Sequence, residues 1–195
     1  MQAIGEITEL LLQWKAGDRK AFDRLMPIVY PRLRAMAGSL NRGESFEYSL
    51  QATELVHEAY VRLLRQRRLA WEDREHFFSF AAKVMRLILT DHARARVAQK
   101  RGGPAERVPL NENMAWVSLG GEEMLDLDRA LDELELIDAG KVRAVELRYF
   151  LGCTAEEAGE ILRRSKASVD RDLQIARAWL FRRLQGTLAE NSAGE

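Results

Sequence analysis

The sequence predicts an all-α protein of two small helical domains joined by a flexible linker, and three observations predict it. Apolar residues recur at helical spacing in every segment that has a clear period. Composition changes at Gly102: Gly102, Gly103, Pro104 and Pro109 break any helix, and no period returns until about Met124. Charge comes in blocks, although 30 basic and 30 acidic residues balance overall. Residues 83–107 hold seven basic against two acidic residues, residues 122–138 eight acidic against Arg129 alone, and residues 141–185 ten basic against six acidic. Two basic blocks separated by an acidic one suggest two polyanion-binding modules on one chain. The domains expected are residues 4–101 and 124–185, with a linker at 102–123 and a tail at 186–195. A length of 195 residues, 47% of them apolar, suffices to bury a core in each. How the two sit relative to one another is not written in the sequence.

Residues 4–14 form an amphipathic pattern with Ile7, Leu10, Leu11 and Trp14 inward, and Gly17 followed by Asp18 supplies a stop and a new N-cap. A second helix follows to about Leu40, with a kink or break expected near residues 26–30 because Pro27 and Pro31 each remove a helical donor. Residues 41–49 are polar, contain Gly43 and read as a loop. The period resumes in ATELVHEAYVRLLRQ, with Leu55, Val56, Ala59, Tyr60, Leu63 and Leu64 inward, Thr53 as N-cap, and Glu54, His57, Glu58 and Arg62 outward. His57 and Glu58 are adjacent, hence about 100° apart on a helix, and no second His follows four residues on; this is a contact surface rather than a metal site. The segment RQRRLAWEDRE then breaks the period, and Arg67 and Arg68 beside Trp71 are the pairing that single-stranded nucleic acid needs, a ring for stacking and cations for the backbone. The same ring is as well suited to closing the core at a loop.

The stretch HFFSFAAKVMRLILTDHARARVAQKR, residues 76–101, places Phe77, Phe80, Ala81, Val84, Leu87, Ile88 and Ala95 on one arc. Lys83, Arg86, Thr90, Arg94 and Arg101 form a stripe beside it, suited to lying along a polyanion, although such stripes are more often solvated faces. Asp91 falls on the apolar side, where a carboxylate needs a partner; an arginine of a neighbouring helix, Arg62 being one candidate, is expected to supply it.

In the last block Leu125, Leu127, Ala130, Leu131, Leu134 and Ile137 make an acidic amphipathic helix, residues 141–150 a second that ends at Gly152, and Thr154 with Glu157 a capping box that opens a third. Ser165 breaks that helix and caps a fourth, SKASVDRDLQIARAWLFRRL, with Val169, Leu173, Ala176, Leu180 and Leu184 inward. Two short helices joined by a tight polar turn, the second carrying Arg at its start, are the sequence form of a helix-turn-helix.

In order and spacing these segments resemble the bacterial RNA polymerase sigma factors of the extracytoplasmic-function (ECF) group, over about residues 7–184. ATELVHEAYVRLL resembles the helix of that family that docks on the β′ clamp of the polymerase, FFSFAAKVMRLILTDHARAR the helix that opens and holds the −10 element, and LRYFLGCTAEEAGEILRRSKASVDRDLQIARAWL the domain 4 helix-turn-helix that reads the −35 element. The resemblance implies a sigma domain 2 bundle and a sigma domain 4. Its core-polymerase contacts would be Glu54, His57, Glu58 and Arg62; its −10 contacts Arg67, Arg68, Trp71, Lys83, Arg86, Thr90, Arg94 and Arg101; its −35 contacts Arg163, Arg164, Lys166, Ser168 and Arg171. It implies core RNA polymerase, through the β′ clamp and the β flap, and promoter DNA as partners, and an anti-sigma factor as a regulator. His57 stands where many members carry Gln, and Asp170 and Asp172 where many carry basic or small polar residues; an Asp there can accept from cytosine N4.

Other classes fit less of the chain. A stand-alone helix-turn-helix regulator leaves the first hundred residues without a task. An enzyme on nucleic acid needs a carboxylate cluster or a nucleophile with a partnered base, and the basic block offers only Asp91, so no catalytic residue is assigned. Cys153 is a single cysteine, expected to be a small buried residue, and no metal or cofactor site is visible. No segment reaches the ~18 apolar residues of a membrane span and no leader pattern opens the chain, so the expected location is the cytoplasm.

Overall fold

The computed structural model describes residues 2–40, 52–65, 73–99 and 121–192. The expected loop at residues 41–49, the readings on Arg67, Arg68, Trp71 and Arg101, and most of the linker lie outside these. Among the described residues the regular elements are all helical: α1 (Gln2–Lys15), α2 (Arg19–Leu40), α3 (Ala52–Arg65), α4 (Arg74–Gln99), α5 (Gly121–Val145), a π-helical turn (Glu146–Phe150), α6 (Ala155–Leu162) and α7 (Lys166–Ser192). No helix among them is long and apolar enough to cross a membrane.

α1 buries Ile7, Leu10 and Leu11, and the Trp14 ring meets Phe22 of α2 at 4.5 Å. Gly17, at φ 99°, takes the left-handed turn that ends α1, and the Asp18 side chain accepts from the Lys20 backbone N–H at 2.9 Å to start α2. α2 is not broken at its prolines. Asp23, Pro27 and Pro31 are all exposed and four residues apart, so the carbonyls of Asp23 and Pro27, which lose their donors, face water that can hydrate them, while Leu25, Met26 and Val29 hold the opposite face in the core. Thr53 lies inside α3 rather than capping it, because the helix already begins at Ala52.

α4 is the central helix. Phe77, Ala81, Val84 and Ile88 are buried as the period requires, but so are Phe78, Ala82, Met85, Arg86 and Thr90, while Leu87 and Ala95 are exposed. α4 therefore has two buried faces: one meets the α1–α3 layer, the other α5 and the π-helical turn. The Phe77 and Phe78 rings meet edge to face at 5.3 Å, and each ring contributes roughly 1.5–3 kcal/mol by burial. An unforeseen cap starts this helix: the Asp73 side chain accepts from the His76 N–H at 2.9 Å.

α5 runs antiparallel along α4, so a Cβ added at Gly121 would lie 2.9 Å from Val97 Cγ2. Leu127, Ala130, Leu131 and Leu134 are buried, but Ile137 is 67% exposed, because the helix breaks at the next residue. Asp138 has extended backbone (φ −156°, ψ 88°) and its carboxylate accepts from the Lys141 backbone N–H at 3.1 Å, so α5 is two helical pieces, as the sequence divides them. Thr154 and Glu157 form the capping box of α6, and Cys153 is buried. Arg163, at φ 55° and ψ 40°, ends α6, and the Ser165 hydroxyl accepts from the Ser168 N–H at 3.2 Å to start α7. The turn is tight enough that a Cβ on Gly159 would stand 2.7 Å from the Arg164 carbonyl oxygen. α7 continues to Ser192, six residues past the expected start of a tail. Buried side chains form one continuous core from Ile7 to Leu184.

Candidate nucleic-acid interface

The outward face of α3 carries Glu54 and His57, both exposed, and with Glu58 and Val61 they line a shallow depression. Glu58 and Arg62 are held from behind. Arg62 donates to Glu58 at 2.8 Å and to Asp91 of α4 at 2.9 Å, His92 approaches Glu58 at 3.3 Å, and Arg94 reaches Asp91 at 3.3 Å. Desolvation works against the Arg62 charge, but the two carboxylates outweigh it and hold the guanidinium charged more firmly than usual. The expected Arg62–Asp91 pair is thus present. Its setting differs from expectation, because Asp91 has a side chain 48% exposed and lies on the α3 edge of α4 rather than on its apolar side.

Of the stripe on α4, Lys83, Arg86, Thr90 and Arg94 fall among the described residues, and they do not form one continuous exposed surface, because Arg86 and Thr90 are buried. Lys83 Nζ lies 3.0 Å from both oxygens of Glu135. The Arg86 side chain is 1% exposed and enclosed by α5 and the π-helical turn. Its Nε donates to Asp128 Oδ1 at 2.8 Å, Nη2 to the Asp128 carbonyl at 2.9 Å and to Asp132 Oδ1 at 2.5 Å, and Nη1 to Glu146 Oε1 at 3.1 Å. Thr90 is also buried, its hydroxyl donating to the Arg86 carbonyl at 3.0 Å. Arg94 remains exposed, 3.5 Å from Asp128.

One cation faces three carboxylates in this cage, and Glu146 is the most deeply placed of them. Burial pushes its carboxyl up to about 7, against the pull of Arg86 and Lys83. Desolvation opposes the charge on Arg86 too, but Asp132, Asp128 and Glu146 overcome it. Single-segment reading missed these partners, although a signal exists: Asp128, Asp132 and Glu135 are spaced by four and three residues, the complement of the spacing of Lys83, Arg86 and Thr90.

The α6–α7 turn presents the second set. Arg163 donates to Asp73, the cap of α4, at 2.9 Å, and Arg143 reaches Glu75 at 3.4 Å. Arg164 pairs with Asp172 at 2.5 Å. Asp172 is buried and faces its own turn, so it is not placed as a reader of base edges. Lys166 pairs with Glu156 at 3.1 Å; Ser168 is half-buried; Asp170 and Arg171 are exposed at the start of α7. Further along, Arg183 binds Glu133 of α5 through two bonds of 2.6 and 2.8 Å, which fixes α7 to its neighbour.

A family model described as ECF sigma factor matches residues 4–186 of the chain. Neither curated proteins nor solved structures gave a match.

Proposed function

The chain belongs to the ECF sigma factor family, and from that premise we propose that it binds core RNA polymerase in the cytoplasm and directs it to promoters. In this reading residues 4–101 dock on the β′ clamp and act at the −10 element, residues 124–185 meet the β flap and read the −35 element, and residues 102–123 connect them. Glu54 and His57, with Glu58 and Arg62 behind them, form the clamp contact, where exposed carboxylates steer a basic partner. Arg67, Arg68 and Trp71 capture an unstacked base, while Lys83, Arg86, Arg94 and Arg101, with Thr90, hold backbone phosphates. Strand opening draws on binding energy and needs no covalent step.

The observation that supports the reading is the arrangement of α6 and α7, two helices joined by a tight turn at Arg163 with an exposed α7 start, as a helix-turn-helix requires. Arg171 sits where a recognition helix meets base edges, Lys166 and Ser168 flank it, and Arg163 and Arg164 lie where phosphates pass. An anti-sigma factor is the regulator that the family implies. A stand-alone regulator would leave the α1–α3 layer and its acidic depression unused. The test is run-off transcription: the chain plus core polymerase should yield a discrete transcript from a promoter obtained by selection with the chain itself. Duplex binding with no core-dependent transcript would favour the stand-alone regulator.

A further inference from the structure

We infer that Ile175 is a further specificity-determining residue: its exposed side chain, one helical turn beyond Arg171, reads thymine through the 5-methyl group. The −35 element preferred by this chain then carries a thymine about two base pairs from the pair met by Arg171, since four helical residues advance roughly 6 Å and one base pair about 3.4 Å. The inference deepens the proposed reading of the −35 element and rests on it.

The placement comes from the helix itself. Val169, Asp172, Leu173, Ala176 and Leu180 are buried and hold one side of α7 against α5 and α6. At about 100° per residue Arg171, Ile175, Ala178 and Arg182 fall within about 60° of arc on the other side, and all four are exposed. Ile175, 48% exposed, is thus an apolar side chain set in a polar stripe, with one arginine before it and another after it. Arg182 lies roughly 16 Å beyond Arg171 along the axis, more than the ~12 Å width of a major groove, so it meets a backbone phosphate where the helix leaves the groove. Ile175 is still inside the groove at that point, and the short side chain of Ala178 lets the helix approach closely.

What Ile175 can recognise follows from its composition. It carries no donor or acceptor, so the hydrogen-bond pattern of a base edge is invisible to it, and the 5-methyl group of thymine is the apolar feature that the major groove offers. Single exposed apolar residues are ordinary on protein surfaces. The position of this one carries the inference: Leu12, Leu136 and Ile137 are at least as exposed but lie on other helices, away from the α7 stripe. A β-branched residue is also a poorer helix former than alanine, and at an exposed site little burial offsets that cost.

The test removes the methyl group and nothing else. The full chain is combined with core polymerase, a −35 element is obtained by selection, and each thymine of either strand is replaced in turn by deoxyuridine in duplexes compared at fixed salt. Wild type should lose about fourfold in affinity at one thymine, the worth of one buried methyl group, and Ile175→Ala should bind the two duplexes equally there. Ile137→Ala removes an exposed side chain of the same type from α5 and should keep the fourfold ratio. The ratio compares two duplexes on one protein, so differences in folded or polymerase-bound fraction cancel from it. Absence of any methyl-dependent thymine, or a methyl dependence that survives in Ile175→Ala, would overturn the inference and leave −35 reading in place. Weaker polymerase binding by Ile175→Ala with an unchanged ratio would make Ile175 a protein contact and overturn it as well. A complex that selects no −35 sequence at all would instead overturn the proposed function, and this inference with it.

Discussion

α4 and the start of α7 carry the same kind of side chains on the same kind of scaffold, yet they end in opposite states. On α4 the cations face a helix whose carboxylates match their spacing, and Arg86 disappears from the surface. At the start of α7 the counter-charges come from the turn itself, Asp172 for Arg164 and Glu156 for Lys166, and Arg171 stays in solvent. Whether a basic stripe is available is therefore decided by the wall opposite it, not by its own charge.

The largest effect expected to separate the two regions comes from arginine truncation. Arg86→Ala leaves Asp128 and Glu146 buried without their cation and should lower stability by about 3–5 kcal/mol in urea unfolding of the full chain. Arg171→Ala should change it by less than about 0.5 kcal/mol. Similar values for the two would break the comparison.

A second effect is sharper in pH than in size. Glu146 titrates at about 7 in the folded chain, above its ordinary 4.5, so the folded state binds this proton more tightly than the unfolded state. Stability from this group is complete below the unfolded value and is lost as pH rises from about 4.5 to 7, with a slope of up to about 1.4 kcal/mol per pH unit. Glu146→Gln should flatten the wild-type profile across that window, as followed by thermal unfolding at a series of pH values. An unchanged profile would place the excess proton of the cage elsewhere.

Smaller still is Asp91→Asn, which weakens one of the polar links between α3 and α4, at a partly exposed pair. A loss of about 0–1 kcal/mol is expected, in contrast to the Arg86 cage. The smallest change in stability belongs to Arg171→Ala, whose measurable effect should be a relaxed preference at one or two −35 positions in a binding-site selection. Retention of the wild-type preference would move the reading to Ser168 or Asp170.

Local features were legible because their causes are local. The inner face of α1, the Thr154–Glu157 box, the division of α5 and the Ser165 cap follow from residues within a few positions of one another. The Arg62–Asp91 pair was accessible because an acid in a helical pattern raises the question of its partner. The burial of Arg86 was not legible for a physical reason: a helix enclosed on two sides has no single polar face, and the partners of Arg86 lie 42, 46 and 60 residues away. Asp172 was misread because its partner, Arg164, sits across a turn that local periodicity does not describe.

The π-helical turn between α5 and α6 sets the gearing of the molecule. The Leu151 N–H bonds to the Glu146 carbonyl at 3.0 Å, spanning five residues where an α-helix spans four. One extra residue in a helical path advances everything beyond it by about 100°. Glu146, at the near end of that turn, points at Arg86, while Arg163, beyond its far end, points at Asp73. Removing a single residue from Leu147–Phe150 would leave the first contact in phase and rotate the second away, uncoupling the ion cage from the α6–α7 turn without touching a charged group of either.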